Sequence, residues 1–335
     1  MNNKLYLMGL DNIDINKIEE YKSGERLFFV GMTLNCPCNY KCVYCGISHV
    51  SVLNKKIMTR DEYFDIIDQA STIGVSSIAL GGLGEPTMSK YIIDILKYIN
   101  EKGMTPILYT NASLFGNDDL CQKTHNISGK KFLDIVDKCG TTLIISCDTI
   151  NTQKYDEIVG NVTDAFKYFN IAIERIKESN LVRRIKINGS EYSRIAISSV
   201  IMPNNYIERF DLVQFAHSLN GIVILKVPSR HGSAADNEDK MFSIEESKDV
   251  AKELERLTDK KATLQVRDTE CAAWNYGINI SIDGNYTQCM SNLYNPYGKN
   301  INIRNTSLFD VLKMKRNLVK SLSTAVCPFK AKQYT

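Results

Sequence analysis

No apolar run in this chain reaches the ~18 residues that a membrane-crossing helix needs, so no transmembrane segment is expected. The first apolar segment, Leu5 to Leu10, is too short for a secretory leader and runs straight into Asp11, which points to a cytoplasmic protein. Charge of one sign is never gathered into a long block: 41 basic and 38 acidic residues are spread along the chain and leave a net charge of +3. Nothing therefore favours nucleic acid or a membrane surface as a partner. Low-complexity tracts, a proline-rich linker and internal repeats beyond a strand–helix alternation are also missing. What remains is a globular chain of 335 residues, 44% hydrophobic and 24% charged, large enough to bury one big α/β core or two smaller ones. In a reducing compartment its ten cysteines suit metal binding by a clustered subset better than disulfides.

Strand-like runs occur at Leu27 to Val30, Ile78 to Leu80, Ile107 to Tyr109, Leu143 to Ile145, Ile195 to Ile201 and Ile222 to Val227. Amphipathic segments lie between them. Tyr63, Phe64, Ile66, Ile67, Ala70 and Ile73 recur at helical spacing, and further helices are expected near Ile92 to Ile99, Phe132 to Val136, Ala165 to Ile176, Phe210 to Leu219 and Ile244 to Leu257. Thr59 with Glu62 and Ser243 with Glu246 have capping-box spacing, while Gly74 and Gly103 stand where helices should stop. Successive βα units imply a parallel sheet with its functional site at the C-terminal strand ends. The polar stretch Asn117 to Lys131, after the third strand, is read as a lid over that site. Near residue 260 the pattern changes. Ile278, Ile280 and Ile282 alternate with polar residues into Asp283-Gly284, a strand and tight hairpin that open a small second module.

Directly after the first strand, Cys38, Cys42 and Cys45 form a CxxxCxxC triplet with Tyr44 just before its last cysteine. Three thiolates this close can hold three irons of a 4Fe–4S cluster and leave the fourth iron open to a substrate or cofactor, whereas a four-cysteine site is closed. Zinc or a purely structural cluster also fits the triplet taken alone. Two other features belong to the same sheet edge: the run Gly81-Gly82-Leu83-Gly84-Glu85-Pro86 after the second strand, and Ser146 with Asp148 at the end of the fourth. Ser146 and Asp148 share a face by the two-residue period, and also suit a strand end and helix cap.

Together these features resemble the radical S-adenosylmethionine (radical SAM) enzymes, over roughly residues 25 to 245. The resemblance implies a partial (β/α)6 barrel in which SAM chelates the open iron through its amino and carboxylate groups. The reduced cluster would then cleave SAM to methionine and a 5′-deoxyadenosyl radical, which takes hydrogen from an unactivated carbon. It also implies an external flavodoxin- or ferredoxin-like electron donor. By the same resemblance Tyr44 packs near the adenine, the Gly82, Gly84 and Glu85 turn meets the methionine amino group, and Ser146 and Asp148 contact the ribose or carboxylate. Asn111 is a further cofactor-binding candidate. Leu83 departs from the family by occupying a place often held by glycine, and contact through the backbone would tolerate it.

Cys271, Gly284 and Cys289 match the CxnGx4C opening of radical SAM enzymes with a SPASM or shorter twitch extension, and Cys327 follows. Lys330 stands where several twitch enzymes complete a CxxC, and the further cysteines of a full SPASM domain are missing. The resemblance implies an auxiliary 4Fe–4S cluster on Cys271, Cys289 and Cys327, whose fourth position is open or filled by another ligand. Ordinary buried thiols are the plainer alternative. The expected division is an N-terminal segment 1–24, a radical SAM core barrel 25–259 and a small α+β twitch-like iron–sulfur module 260–335.

That extension implies oxidation or other tailoring of a compact sugar- or aminocyclitol-like substrate, or else maturation of a ribosomal peptide. The short stretch before the first strand tilts the expectation toward the compact substrate. Nucleotide cyclisation of the molybdopterin type is disfavoured, because that family's C-terminal cysteine spacing and glycine tail are not found. A nonenzymatic iron–sulfur or zinc protein is the reading from another class. Arg230 and His231, after the sixth strand, are candidates for binding substrate, and His49, His125 and His231 for removing a proton. For Cys36 the readings are a hydrogen donor or plain packing, and His217 falls on a helix.

Overall fold

The computed structural model describes residues 18–187, 190–258, 276–287, 297–298 and 301–321. Six strands run parallel and in register side by side: β1 (Phe29–Leu34), β2 (Ser77–Gly82), β3 (Thr105–Thr110), β4 (Thr142–Ser146), β7 (Ile195–Val200) and β8 (Ile222–Lys226). Between β4 and β7 a short antiparallel pair, β5 (Ile185–Ile187) and β6 (Ser190–Tyr192), stands outside this sheet. Among the described residues the main sheet has eight strands and is open, its edges being β8 and the short strand β10 (Tyr286–Thr287). This is the expected α/β fold, an open array of six βα units.

The main helices are α1 (Arg60–Thr72), α2 (Ile92–Glu101), α3 (Gly129–Lys138), α4 (Ala165–Lys177), α5 (Arg209–Ser218) and α6 (Ile244–Leu257). Apolar residues line both faces of the sheet, as parallel strands covered by helices require. Leu34, Ile78, Leu108, Ile145 and Ile197 are fully buried, and so are Ile66, Ile67 and Ala70 of α1 and Ile92, Ile95, Leu96 and Ile99 of α2. Each buried Leu or Ile contributes about 1.5–3 kcal/mol relative to exposure. Both capping boxes form: Thr59 caps α1 with Glu62, and Ser243 caps α6 with Glu246.

Three differences from the sequence reading have local causes. The first strand runs from Phe29 to Leu34, later than expected, because Gly31 and Thr33 pair with Ala79 and Gly81 of β2 and carry the strand on to the cysteine loop. The stretch from Asn117 to Lys131 is no loose lid, since Asn117 and Ser128 are N-caps of two helices and accept from Leu120 N at 2.9 Å and Lys131 N at 3.2 Å. The hairpin at Asp283-Gly284 is present, and its first strand, β9 (Gly277–Ile280), pairs parallel to β1 and so extends the main sheet. No helix among the described residues is long and apolar enough to cross a membrane.

Candidate active site

The cysteine loop that leaves β1 is held by three other loops. Glu85 N donates to Pro37 O at 2.9 Å, Lys41 N to Val159 O at 2.9 Å, Val43 N to Ile158 O at 3.0 Å and Ser233 N to Cys45 O at 2.9 Å. Glycine is needed where the β2 turn meets this loop: a Cβ on Gly84 would lie 2.3 Å from Cys36 O and 2.4 Å from Pro37 O. Here the sequence signal that suggested a cofactor turn also has a packing cause.

A cavity of about 420 Å³ opens at these strand ends. Its wall includes Cys38, Cys42, Cys45, Tyr44, Gly82, Gly84, Glu85, Asn111, Ser146 and Asp148, so the cluster and cofactor candidates from the barrel part of the sequence share one space. Leu83 is not part of this wall, so its side chain does not intrude where glycine is common.

Glu85 is buried and its carboxylate is surrounded by donors from its own chain. Oε1 accepts from Thr87 N at 3.0 Å, Thr87 Oγ1 at 2.7 Å and Thr110 Oγ1 at 2.6 Å, and Oε2 accepts from Asn111 N at 2.7 Å. Burial raises its pKa above the usual carboxylate range, and these hydrogen bonds work against that rise. Glu85 thus ties the β2 turn to the end of β3. Asn111 is similarly engaged: its Oδ1 accepts from Ser113 N at 2.9 Å, and its Nδ2 donates to Asn39 Oδ1 in the cysteine loop at 3.1 Å.

On another wall the Tyr44 hydroxyl donates to Asp148 Oδ2 at 2.6 Å, and Val200 N donates to Asp148 Oδ1 at 2.7 Å. Burial pushes the Asp148 carboxyl up to about 6, with Tyr44, Val200 and the charge of Lys226 opposing. Lys226, the last residue of β8, shifts downward through burial, and Asp148 opposes that shift. Lys226 is nonetheless an exposed residue, and it lines the cavity.

Burial likewise raises the thiols, Cys38 to about 11 and Cys42 well above its usual range, so without metal both are protonated at neutral pH. Metal binding would have to displace those protons. Among the described residues no three His, Cys, Asp or Glu side chains are gathered tightly enough for a single metal ion. The donor set nonetheless fits an iron–sulfur cluster: three cysteines share the wall, and the Cys38 sulfur accepts from Tyr40 N at 3.4 Å. The Tyr40 hydroxyl is buried beside Tyr155 and has no partner at good hydrogen-bond geometry.

Other candidates lie elsewhere. Arg230 donates to Phe242 O, His49 pairs with exposed Asp236 at 2.7 Å, and His125 Nε2 lies 2.6 Å from Thr87 O with its ring against Phe132. None of these three, nor His231 or His217, lines the cavity. Cys36 is buried against Leu34 O, its thiol pushed up to about 12, and it too is not part of the wall. Cys271, Cys289 and Cys327 lie outside the described residues. Sequence reasoning passed over Tyr40, Tyr109, Tyr155 and Lys226. For Lys226 a signal existed, a charged residue closing the otherwise apolar strand Ile222-Val223-Ile224-Leu225.

The family model for the Radical SAM superfamily matches residues 36–210. An S-adenosylmethionine-dependent nucleotide dehydratase from Flammeovirga pacifica is 29% identical over 160 residues, covering 45% of this chain and 49% of that protein. A GTP 3′,8-cyclase from Clostridium perfringens (strain SM101 / Type A) is 28% identical over 172 residues, covering 50% of this chain and 47% of the cyclase. The chain thus spans about half the length of these curated relatives. Among solved structures, Streptococcus suis SuiB bound to precursor peptide SuiA superposes with a TM-score of 0.60 at 17% identity, over 96% of this chain and 69% of SuiB. The anSMEcpe structure with AdoMet and Cp18Cys peptide gives 0.57 at 14% identity, over 92% of this chain and 83% of that one. The structural likenesses concern the fold. The family match, spanning the cysteine triplet, the Gly-Glu-Pro turn and Asp148, places this chain in the radical SAM superfamily of enzymes.

Proposed function

We propose that this chain binds a 4Fe–4S cluster and SAM in the cavity and oxidises or otherwise tailors a compact, sugar- or aminocyclitol-like substrate at one of its carbons. The convergence of the cysteine triplet, the Gly82–Glu85 turn and the Ser146–Asp148 strand end on one cavity of about 420 Å³ carries this reading. Such a volume lies within the range of small-molecule sites. When bound, cluster and SAM supply a 5′-deoxyadenosyl radical able to take hydrogen from an unactivated carbon.

The residues of the chain have separate tasks. Cys38, Cys42 and Cys45 give thiolates to three irons. Glu85 holds the Gly82–Gly84 backbone against the cavity, where SAM's amino group would be met. Tyr44 offers a ring face for the adenine while its hydroxyl fixes the Asp148 carboxylate toward the ribose or carboxylate side. Ser146 and Asn111 add polar contacts, and Tyr40, Tyr155 and Val159 restrict water. A flavodoxin- or ferredoxin-like protein supplies the electron.

For the C-terminal part we propose a twitch-like module from residue 260, with Cys271, Cys289 and Cys327 holding an auxiliary 4Fe–4S cluster that accepts an electron from the substrate or positions it. The N-terminal segment 1–24 and core 25–259 complete the proposed division. A peptide substrate is the second reading, favoured by SuiB and anSMEcpe having been solved with peptides. The relatives named for nucleotides make a nucleotide a third.

Anaerobic reconstitution followed by iron analysis and electron paramagnetic resonance tests this. SAM should change the spectrum of the reduced protein, and iron should approach about eight per chain. About four would remove the auxiliary cluster, and a spectrum indifferent to SAM would contradict the reading.

A further inference from the structure

Among the described residues lining the cavity, Lys226 is the one basic side chain. The strand fixes its place: Lys226 pairs in register with Val200, and Ile201 N donates to its carbonyl at 2.8 Å. The two-residue period sets it on the same face as Ile224 and Ile222. Its ammonium has no ion pair or hydrogen bond with a described residue. The two carboxylates in the same wall are engaged elsewhere, Glu85 by Thr87, Thr110 and Asn111, and Asp148 by Tyr44 and Val200. Asp148 acts on this cation through its charge alone, so the ammonium's donors remain an open half of a charge-assisted hydrogen bond.

We propose that Lys226 anchors the substrate through a single carboxylate group. This deepens the reading of the cavity as a SAM and substrate site, and rests on it. One ammonium matches one carboxylate, whereas a di- or triphosphate spreads several charges over many oxygens and calls for several cations, of which the described residues of this wall offer one. An acid-bearing compact molecule is therefore favoured over a nucleotide polyphosphate.

Calorimetric titration of the reconstituted, SAM-loaded enzyme with N-acetylglycine, and separately with pyrophosphate, tests it. N-acetylglycine should saturate one site per chain. Lys226→Gln should weaken it by about 10- to 100-fold, the loss expected for one charge-assisted hydrogen bond. Lys226→Arg, which keeps the charge, should restore most of that loss, and SAM affinity should move by less than about twofold, well short of the loss of such a bond. The proposal is overturned if the wild type shows no saturable N-acetylglycine binding, if pyrophosphate binds the Lys226-dependent site more tightly, or if Lys226→Gln weakens SAM as much as the acid. Wild-type SAM cleavage, measured beside it, keeps the two claims apart. A wild type that cleaves SAM while Lys226→Gln leaves acid binding unchanged removes the lysine's role alone, and a wild type that leaves SAM intact removes the underlying reading.

Discussion

The backbone N–H of Asn111 donates to Glu85 Oε2 at 2.7 Å, joining the turn after β2 to the end of β3. The other carboxylate oxygen gathers Thr87 and Thr110, so one buried side chain sets the relative position of two strand ends. Glu85→Ala should leave these donors without a partner and destabilise the fold by about 3 kcal/mol. Glu85→Gln, which keeps the shape but turns one acceptor into a donor, should cost less. Denaturant unfolding of the two variants checks the order.

Gly84 faces a backbone that leaves no room for a side chain. Gly84→Ala should push the cysteine loop away from β2 and cost about 1–3 kcal/mol, as overpacking does. The readout specific to this site is iron retained after reconstitution, which should fall more than that of an Ala substitution at Gly74, where nothing crowds the position.

Asp148 carries a pH signature. Its carboxyl is raised to about 6, so the folded chain holds that proton more tightly than the unfolded chain does. Ionising it therefore costs stability above pH 6, and the cost fades as pH falls toward the usual carboxyl range. Asp148→Asn should stabilise the cluster-free chain near pH 8 by about 1–3 kcal/mol, and the difference should shrink toward pH 4. Unfolding curves at several pH values check this, and a difference that does not vary with pH would contradict it.

Arg304 links the described C-terminal segment to the barrel. It donates to Glu62 Oε1 at 2.5 Å, to Asp283 O at 2.9 Å and to Lys56 O at 3.1 Å. Burial works against the Glu62 carboxylate, but the bonds from Arg304 and Thr59 outweigh it and lower its pKa. The stabilisation is present at neutral pH and is lost as pH falls through that lowered value. Arg304→Gln should cost about 1 kcal/mol near pH 7, as expected of a partly exposed pair, and less in acid. Thermal unfolding of wild type and variant at pH 7 and pH 4 measures the difference.

The six parallel strands were legible because each is a short β-branched or aromatic run, as in Leu143-Ile144-Ile145, bounded by turns. The capping boxes at Thr59 and Ser243 were legible for a similarly local reason. Pairing between β9 and β1 was not, since it joins Ile278 to Val30 across most of the chain and no local pattern encodes it. Asn117 to Lys131 looked like a loop because the polarity that marks helix caps also marks loops. At the site, Cys38, Cys42 and Cys45 were readable as a spacing and Asp148 as a strand-end acid. Lys226 was hidden by the more conspicuous Arg230 and His231 just beyond it, whose positions around the turn at Gly232 leave them outside the cavity wall. His125 drew attention through its chemistry, yet it packs on Phe132.

Cys38, Cys42 and Cys45 are proposed to hold the cluster that cleaves SAM. The direct measurement is 5′-deoxyadenosine formed from SAM by the reconstituted, dithionite-reduced protein, compared between wild type and Cys38→Ala. The wild type should form 5′-deoxyadenosine and methionine, and the variant neither. SAM left intact by the wild type, or equal product from Cys38→Ala, would contradict it.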